Sequence, residues 1–359
     1  EGDGADLIIH GDGGLVLFNV ENSYTGNTIL RGSTLDAELG VGLNDASRLV
    51  FDGGGTVGSG TLSQDSAGTL LLQEDFTGRR AGLDDFQVQW SGSGGFASGV
   101  VEGVRVNLGE SVPGLGLGQT LTWGSNGFFD TASGAQDPDI IQNENALKAT
   151  LTFGSNQSVG SVELANDVFV PQDRVAKVAV YNTGTSSASS TAILSGNWSG
   201  SDLVIGDATT DYTGALYVTG QNAMERVQVL GGAVSTFNAA DPNTAGKLFA
   251  ASAEVRVGEA SALELYGTED VRVVVVESAS TVGEPAGALR LYGAMSADTV
   301  SNSGLMQVEA GTDIAATSDG NGGMLKTAGS LDVSGTLANV SSARVMQNGD
   351  ISVGTEVIN

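Results

Sequence analysis

The feature that most constrains this chain is an alternation of apolar and polar residues with period two, interrupted at intervals by Gly, Asn, Asp or Ser. It recurs at "DLIIHG", "GLVLFNV", "NTILRG", "SRLVFDG", "GTLLLQE", "FQVQWSG", "VRVNLG", "TLTWGS", "ATLTFGS", "SVELAN", "AKVAVYN", "TAILSG" and "DLVIGD". Successive side chains of a strand point to opposite faces, so such a run buries one face only. No segment carries a capped run of 3.6-residue periodicity. The best helical candidate is one turn inside a loop, "QDPDIIQNENALKA" at 136–149. The expectation is an all-β fold with few or no helices.

Strands with turn signals at regular spacing fit a sandwich, a barrel or a solenoid. Internal repeats decide among them. "ALELYG" at 262–267 recurs as "ALRLYG" at 288–293, and "GLMQVEAG", "GSLDVSGTL" and "GDISVGTEV" follow. Their first inward residues are expected at Leu263, Leu289, Met306, Leu331 and Ile351, with spacings of 26, 17, 25 and 20. One turn of a right-handed β-solenoid takes about that length, and a single coil cannot bury its apolar face without stacking neighbours. Hairpin turns of the Asn-Gly type, which a sandwich would repeat, are represented by "QNGD" at 347–350. With 54 Gly, 5 Pro and 40 % apolar residues in 359, the chain is neither a proline-rich linker nor disordered. The fold expected is an elongated, right-handed parallel β-solenoid, or β-helix.

A longer repeat is also present. Tyr24-Thr25-Gly26 returns as Tyr212-Thr213-Gly214, each in a strand–corner–strand setting. Three regions follow: residues 1–20 as an N-terminal strand segment and inter-subunit connector, 21–208 as a first solenoid unit, and 209–359 as a second, diverged one. The softest points are the loops at 110–119 and 182–192.

"NSYTGNTILRGSTL" resembles the autotransporter-associated β-strand repeat through Asn22, Tyr24, Thr25, Gly26, Thr28, Gly32, Thr34 and Leu35. "SRLVFDGGGTV" at 47–57 is similar to the strand and glycine corner that usually follow it. The resemblance spans about residues 10–235; beyond them the pattern is that of a generic solenoid. It implies a right-handed parallel β-helix, export, a place on the cell surface or in the extracellular matrix, and scaffolding or adhesion without a catalytic motif. The chain departs from that pattern at Thr210, where the repeat has Asn. It also ends at "GTEVIN", without the helix and membrane barrel of a complete autotransporter. A cleaved passenger, an excised segment or a freestanding protein is expected. Gly26 and Gly32 are expected to supply corner conformations that other residues resist.

The formal charge of −27 repels nucleic acid and anionic lipid and can attract cations. No Cys is present, so disulfides, thiol nucleophiles and Cys-based metal sites are excluded. No apolar run approaches the roughly 18 residues of a membrane helix, so no membrane insertion is expected. The start at Glu1 without Met fits an exported chain whose signal peptide has been removed, or an excised segment.

Candidate chemistry is sparse. His10, the single histidine, lies in the first strand and is expected to be structural. Asp84 with Asp85, and Asp137 with Asp139, are carboxylate pairs of the kind that cleave glycosides, but solvated turn acids are favoured. "EGDGADLII" partly matches a calcium-binding repeat through Gly2, Gly4, Asp6 and Ile8, which makes Asp3 and Asp6 weak calcium candidates. No other cofactor is expected. Trp90, Trp123 and Trp198 can form a sugar-stacking platform, but core stacking is favoured. Asn156, Asn197 and Asn339 open triplets matching the glycosylation motif, which arise by chance in a Ser-rich chain.

The functional expectation is a non-enzymatic extracellular structural protein that assembles head to tail with itself into a fibre or surface layer. An adhesin passenger binding a neighbouring surface, including cell-surface or matrix glycans, is the alternative; a polysaccharide-active β-helix enzyme comes third. The assembly interface expected is Leu7, Ile8, Ile9, Leu15 and Leu17 at one end, with Ile351, Val353 and Val357 at the other. There the strand edges are open and apolar residues alternate.

Overall fold

The computed structural model describes residues 4–10, 15–18, 21–53, 67–110, 118–129, 149–181, 191–206, 213–236, 246–279, 285–308, 313–321, 324–327, 330–333, 336–339, 344–347, 351–353 and 356–358. At residues 18 and 252, and from 313 onward, only the backbone is described. The expected helical turn over 136–149 lies almost wholly outside these residues, as does Tyr212. Every regular element among the described residues is a strand. The strands form three sheets whose neighbouring strands pair in parallel. An all-β, parallel architecture is compatible with a solenoid.

The chain divides into two compact units. The first comprises Glu1–Asn197 with Thr209–Ala215, and the second Trp198–Ala208 with Leu216–Asn359. The boundary expected after residue 208 falls inside this interleaved stretch.

In the first unit, the strands Leu7–His10, Thr28–Arg31, Leu49–Phe51 and Val88–Trp90 make one ladder. A second ladder runs through Leu15–Phe18, Thr34–Ala37, Gly68–Leu72, Gly94–Ser98, Leu151–Phe153 and Val168–Val180. A third joins Phe76–Thr77, Val104–Asn107, Val162–Leu164 and Thr191–Leu194. The chain visits these ladders in turn, so like positions of successive coils stack. Ile9, Leu30, Phe51 and Trp90 form one buried column. Phe76, Val106, Leu164 and Leu194 form another. Rings stack along and beside these columns: Phe51 on Trp90 at 5.0 Å within the first, and Trp123 on Phe129 at 4.2 Å. Each such ring removed from water contributes about 1.5–3 kcal/mol.

In the first unit three strands escaped the sequence patterns: Thr34–Ala37 by its shortness, Phe76–Thr77 likewise, and Gly94–Ser98 by its two glycines; in the second so did Gln221–Val229, Lys247–Val257, Glu269–Val276, Met295–Asn302, Asp313–Asn321, Met324–Thr327 and Arg344–Gln347. Gly94–Ser98 is wholly buried. A Cβ on Gly95 would lie 2.0 Å from the Thr152 carbonyl oxygen, and one on Gly94 2.5 Å from that of Gly68. Backbone approach, which alternation does not encode, selects glycine there. A tight Asn-Gly turn also occurs. Asn126 and Gly127 both have positive φ, at 52° and 78°, between bridged Ser125 and Phe128.

In the second unit one ladder contains Gly232–Ser235, Ser261–Leu265, Ala288–Leu291, Leu305–Val308, Met324–Thr327 and Arg344–Gln347. Its register corrects the expected inward series. The column runs Val234, Leu263, Leu289, Met306, Leu325 and Val345, in steps of 29, 26, 17, 19 and 20 residues. Leu331 and Ile351 belong instead to the ladder of Trp198–Ile205, Gln221–Val229, Lys247–Val257, Glu269–Val276, Met295–Asn302 and Asp313–Asn321, where Leu331 stacks on Ile314. "GSLDVSG" and "GLMQVEAG" share a pattern because both are strands, yet they lie on different faces of a coil.

Truncation at a stacked ring and at an exposed turn should therefore differ. Trp90→Ala is expected to cost about 3–5 kcal/mol, whereas Val101→Ala, at a site 75 % exposed, should stay within about 0.5 kcal/mol. Equilibrium urea unfolding of the two variants measures the contrast.

Candidate functional site

The Tyr-Thr-Gly corner is a clamp between coils. Tyr24 is buried, and its hydroxyl lies 2.5 Å from Thr28 Oγ1, which lies 2.8 Å from Ser47 Oγ. Ser47 Oγ donates to the Gly26 carbonyl at 2.7 Å. Because that donation uses the single Ser47 proton, the chain has one direction: Tyr24 donates to Thr28, and Thr28 to Ser47. The amide of Asn44 donates to the carbonyls of Asn22 and Tyr24 at 2.9 and 3.0 Å, and Asn22 donates to Gly42 O at 2.8 Å. Arg79 enters from a third coil and donates to the carbonyls of Ser47 and Asn44 at 2.7 and 2.9 Å. Burial lowers the Arg79 pKa from its ordinary value, against the pull of nearby Asp45.

Each motif residue thus has a physical task. Thr25 Oγ1 accepts the Gly4 N–H, while Thr34 and Leu35 are buried in the next strand. Gly32 has φ 75°, which L side chains resist. The expectation for Gly26 needs correction: its φ is not positive, and glycine is required because a Cβ would lie 2.3 Å from the Ala5 carbonyl oxygen.

Several acids have a defined structural role. Asp6 Oδ1 accepts the Asn27 N–H at 2.7 Å, Asp75 Oδ1 that of Arg105 at 2.8 Å, and Asp167 Oδ1 that of Asn197 at 2.7 Å. In each case a carboxylate on one coil caps the backbone of the next. Asn166 does the same with an amide, accepting from Leu108 N and donating to the carbonyls of Leu108 and Gln119. Alternation does not show such contacts, because the partners lie 21 to 58 residues apart.

Of the weak calcium candidates, Asp6 is engaged with Asn27, and Asp3 lies outside the described residues. Among those residues no three His, Cys, Asp or Glu side chains converge to hold a metal. Asp84 and Asp85 are exposed on one turn, and Asp137 and Asp139 lie outside the described residues. His10 is exposed and pairs in register with Arg31. Trp90, Trp123 and Trp198 are all buried, so they present no stacking platform.

The strand Leu7–His10 is terminal in its sheet. Ile9 is buried and Leu7 half-buried, whereas Ile8 is 51 % exposed; on the next strand in the chain, which pairs in the second ladder, Leu15 and Leu17 are 40 % and 57 % exposed. Three exposed apolar side chains thus lie on the first two strands, while Leu83, Phe86, Val101, Val159, Phe169 and Tyr292 are exposed elsewhere. Ile351, Val353 and Val357 stack in register on Leu331, Val333 and Leu337, and only their backbone is described.

No protein-family model matches the chain, no curated protein matches it, and no solved structure matches its fold.

The hydroxyl chain generates a coupling test. Tyr24→Phe and Thr28→Ala are each expected to cost about 1–3 kcal/mol, by leaving buried polar atoms unsatisfied. The double variant should cost less than their sum by about 0.5 kcal/mol or more, since both break one network. Additive losses in thermal unfolding would show that the hydroxyls act independently.

Proposed function

We propose that the chain is a non-enzymatic structural β-solenoid that associates head to tail with copies of itself. Cyclic return of the chain to the same parallel ladders supports the solenoid. Parallel crossovers within one sheet are right-handed in about 98 % of cases, which supports that hand. The resemblance of the Asn22–Leu35 corner to autotransporter-associated repeats, together with a cysteine-free, strongly acidic composition, supports an exported scaffold at the cell surface or in the matrix.

The observation that carries self-association is the first coil. Leu7–His10 is the terminal strand of its sheet, so one line of its N–H and C=O groups has no strand partner among the described residues. Ile8 on that strand, and Leu15 and Leu17 on the next strand in the chain, add exposed apolar surface. An incoming strand gains backbone hydrogen bonds and apolar burial together, as in β-augmentation. A head-to-tail contact that does not close on itself propagates into a filament.

The test is charge at the edge. The purified parent is expected to form filaments visible by electron microscopy, with light scattering that rises with concentration. Ile8→Lys/Leu17→Lys, altering two exposed side chains, should retain the β-sheet circular dichroism and remain monodisperse. A monodisperse parent, or a double variant that polymerises equally well, overturns this function.

A further inference from the structure

The second unit contains a buried acid with no ion-pair partner at a break in a strand ladder. Strand Lys247–Val257 loses register against Gln221–Val229: Phe249 faces Met224, but Arg226 faces Glu254. On its other side, pairing with Glu269–Val276 begins only at Ala253 and Val271. Residues 247–249 therefore have no ladder partner on that side. The Glu269 carboxyl takes that place: Oε1 accepts the Leu248 N–H at 3.0 Å, and the Phe249 N–H also acts on the group. Glu269 is 0 % exposed, and its Oε2 has no hydrogen-bond partner among the described residues. On the following coil the residue in register is Met295, which offers no proton donor there.

The charged groups on the surrounding strands compensate it only in part. On Gln221–Val229 they are Glu225 and Arg226, on Lys247–Val257 they are Lys247, Glu254 and Arg256, on its own strand Asp270 and Arg272, and on Met295–Asn302 Asp298. Arg226 is paired with Asp202, Arg256 with Glu277 and Arg272 with Glu254. Lys247 is the charge that acts on Glu269.

We propose that Glu269 is a proton-dependent latch: neutral, it holds the 247–249 segment to the next coil, and ionised, it opens that segment to water. The ionised carboxylate would still accept the two N–H groups, but Oε2 would carry charge in an apolar interior with nothing to solvate it. Burial pushes the Glu269 pKa from 4.5 up to about 7, against the opposing pull of the two N–H groups and Lys247. The folded state thus retains a proton that the unfolded chain releases at lower pH. The latch is fully stabilising below about pH 4.5, and its contribution is lost as pH rises through about 7.

Hydrogen exchange of the peptide spanning 247–253, corrected for intrinsic rates and read from pH 5 to 8.5, tests this in the parent, Glu269→Gln and Lys247→Gln. In the parent, protection should fall close to tenfold per pH unit from pH 5 and level off above about 7, a loss of about 75-fold over that range. Glu269→Gln, which cannot ionise, should show no such fall. Lys247→Gln removes the charge that favours ionisation, so the levelling-off should move to higher pH; that readout stands even if Glu269→Gln fails to fold. Parallel profiles for the parent and Glu269→Gln, or an unmoved levelling-off point in Lys247→Gln, overturn the proposal.

Discussion

Hydrogen bonding between parallel strands that lie one coil apart is the constraint on which the rest of this structure depends. Every strand must offer its N–H and C=O groups to the coils on both sides, so the register of one coil dictates the next. A slip by one residue would turn each buried column out to solvent. The repeat "ALELYG" and "ALRLYG" shows how tightly this holds. Leu263 stacks on Leu289, Arg290 pairs with Glu264 at 2.8 Å, and the rings of Tyr266 and Tyr292 stack at 4.4 Å. Loop insertions leave the columns intact, which is why steps of 17 and 29 residues coexist in one ladder.

Ladders do not satisfy the corners, where the chain turns and its backbone groups lose their regular partners. Side chains from neighbouring coils fill that role. Asp6, Asp75 and Asp167 cap backbone N–H groups across coils, Asn44 and Asn166 bridge carbonyls, and Arg79 gathers two more. Part of the −27 charge is therefore employed in holding coils together, where a backbone N–H stabilises the carboxylate. Glu269 is the same device placed in the interior. At an exposed corner water solvates the second carboxylate oxygen; in the core nothing does, and the cap becomes sensitive to protons.

The aromatic cluster belongs to the same logic. Phe51, Trp90, Phe96, Phe128 and Phe129 come from strands and turns up to about 80 residues apart, yet lie within 6.0 Å of one another in successive contacts. Stacking of coils brings together rings that alternation merely assigns to an inward face. Trp90 Nε1 finds an acceptor in the Gly94 carbonyl at 3.0 Å, so this indole is buried without losing its hydrogen bond.

By itself the sequence determined the class of the fold and most of its strands. Period-two alternation is a local property, and a strand with one face buried needs nothing more to be visible. It also marked the Asn22–Leu35 corner as a turn between strands and assigned the tryptophans to the core. Only the tertiary structure decided which coil stacks on which. Leu325, not Leu331, follows Met306, because both are apolar residues in short strands and hydrogen-bond register alone separates their faces. It likewise decided why Gly26 is glycine, since the obstructing carbonyl belongs to Ala5 on another strand. The apolar edge at Ile8 and Leu17 was legible as alternation, but its exposure was not. Glu269 was invisible in the sequence, because an acid between Thr268 and Asp270 at the start of a strand looks the same whether water or protein surrounds it, and burial by neighbouring coils sets its chemistry.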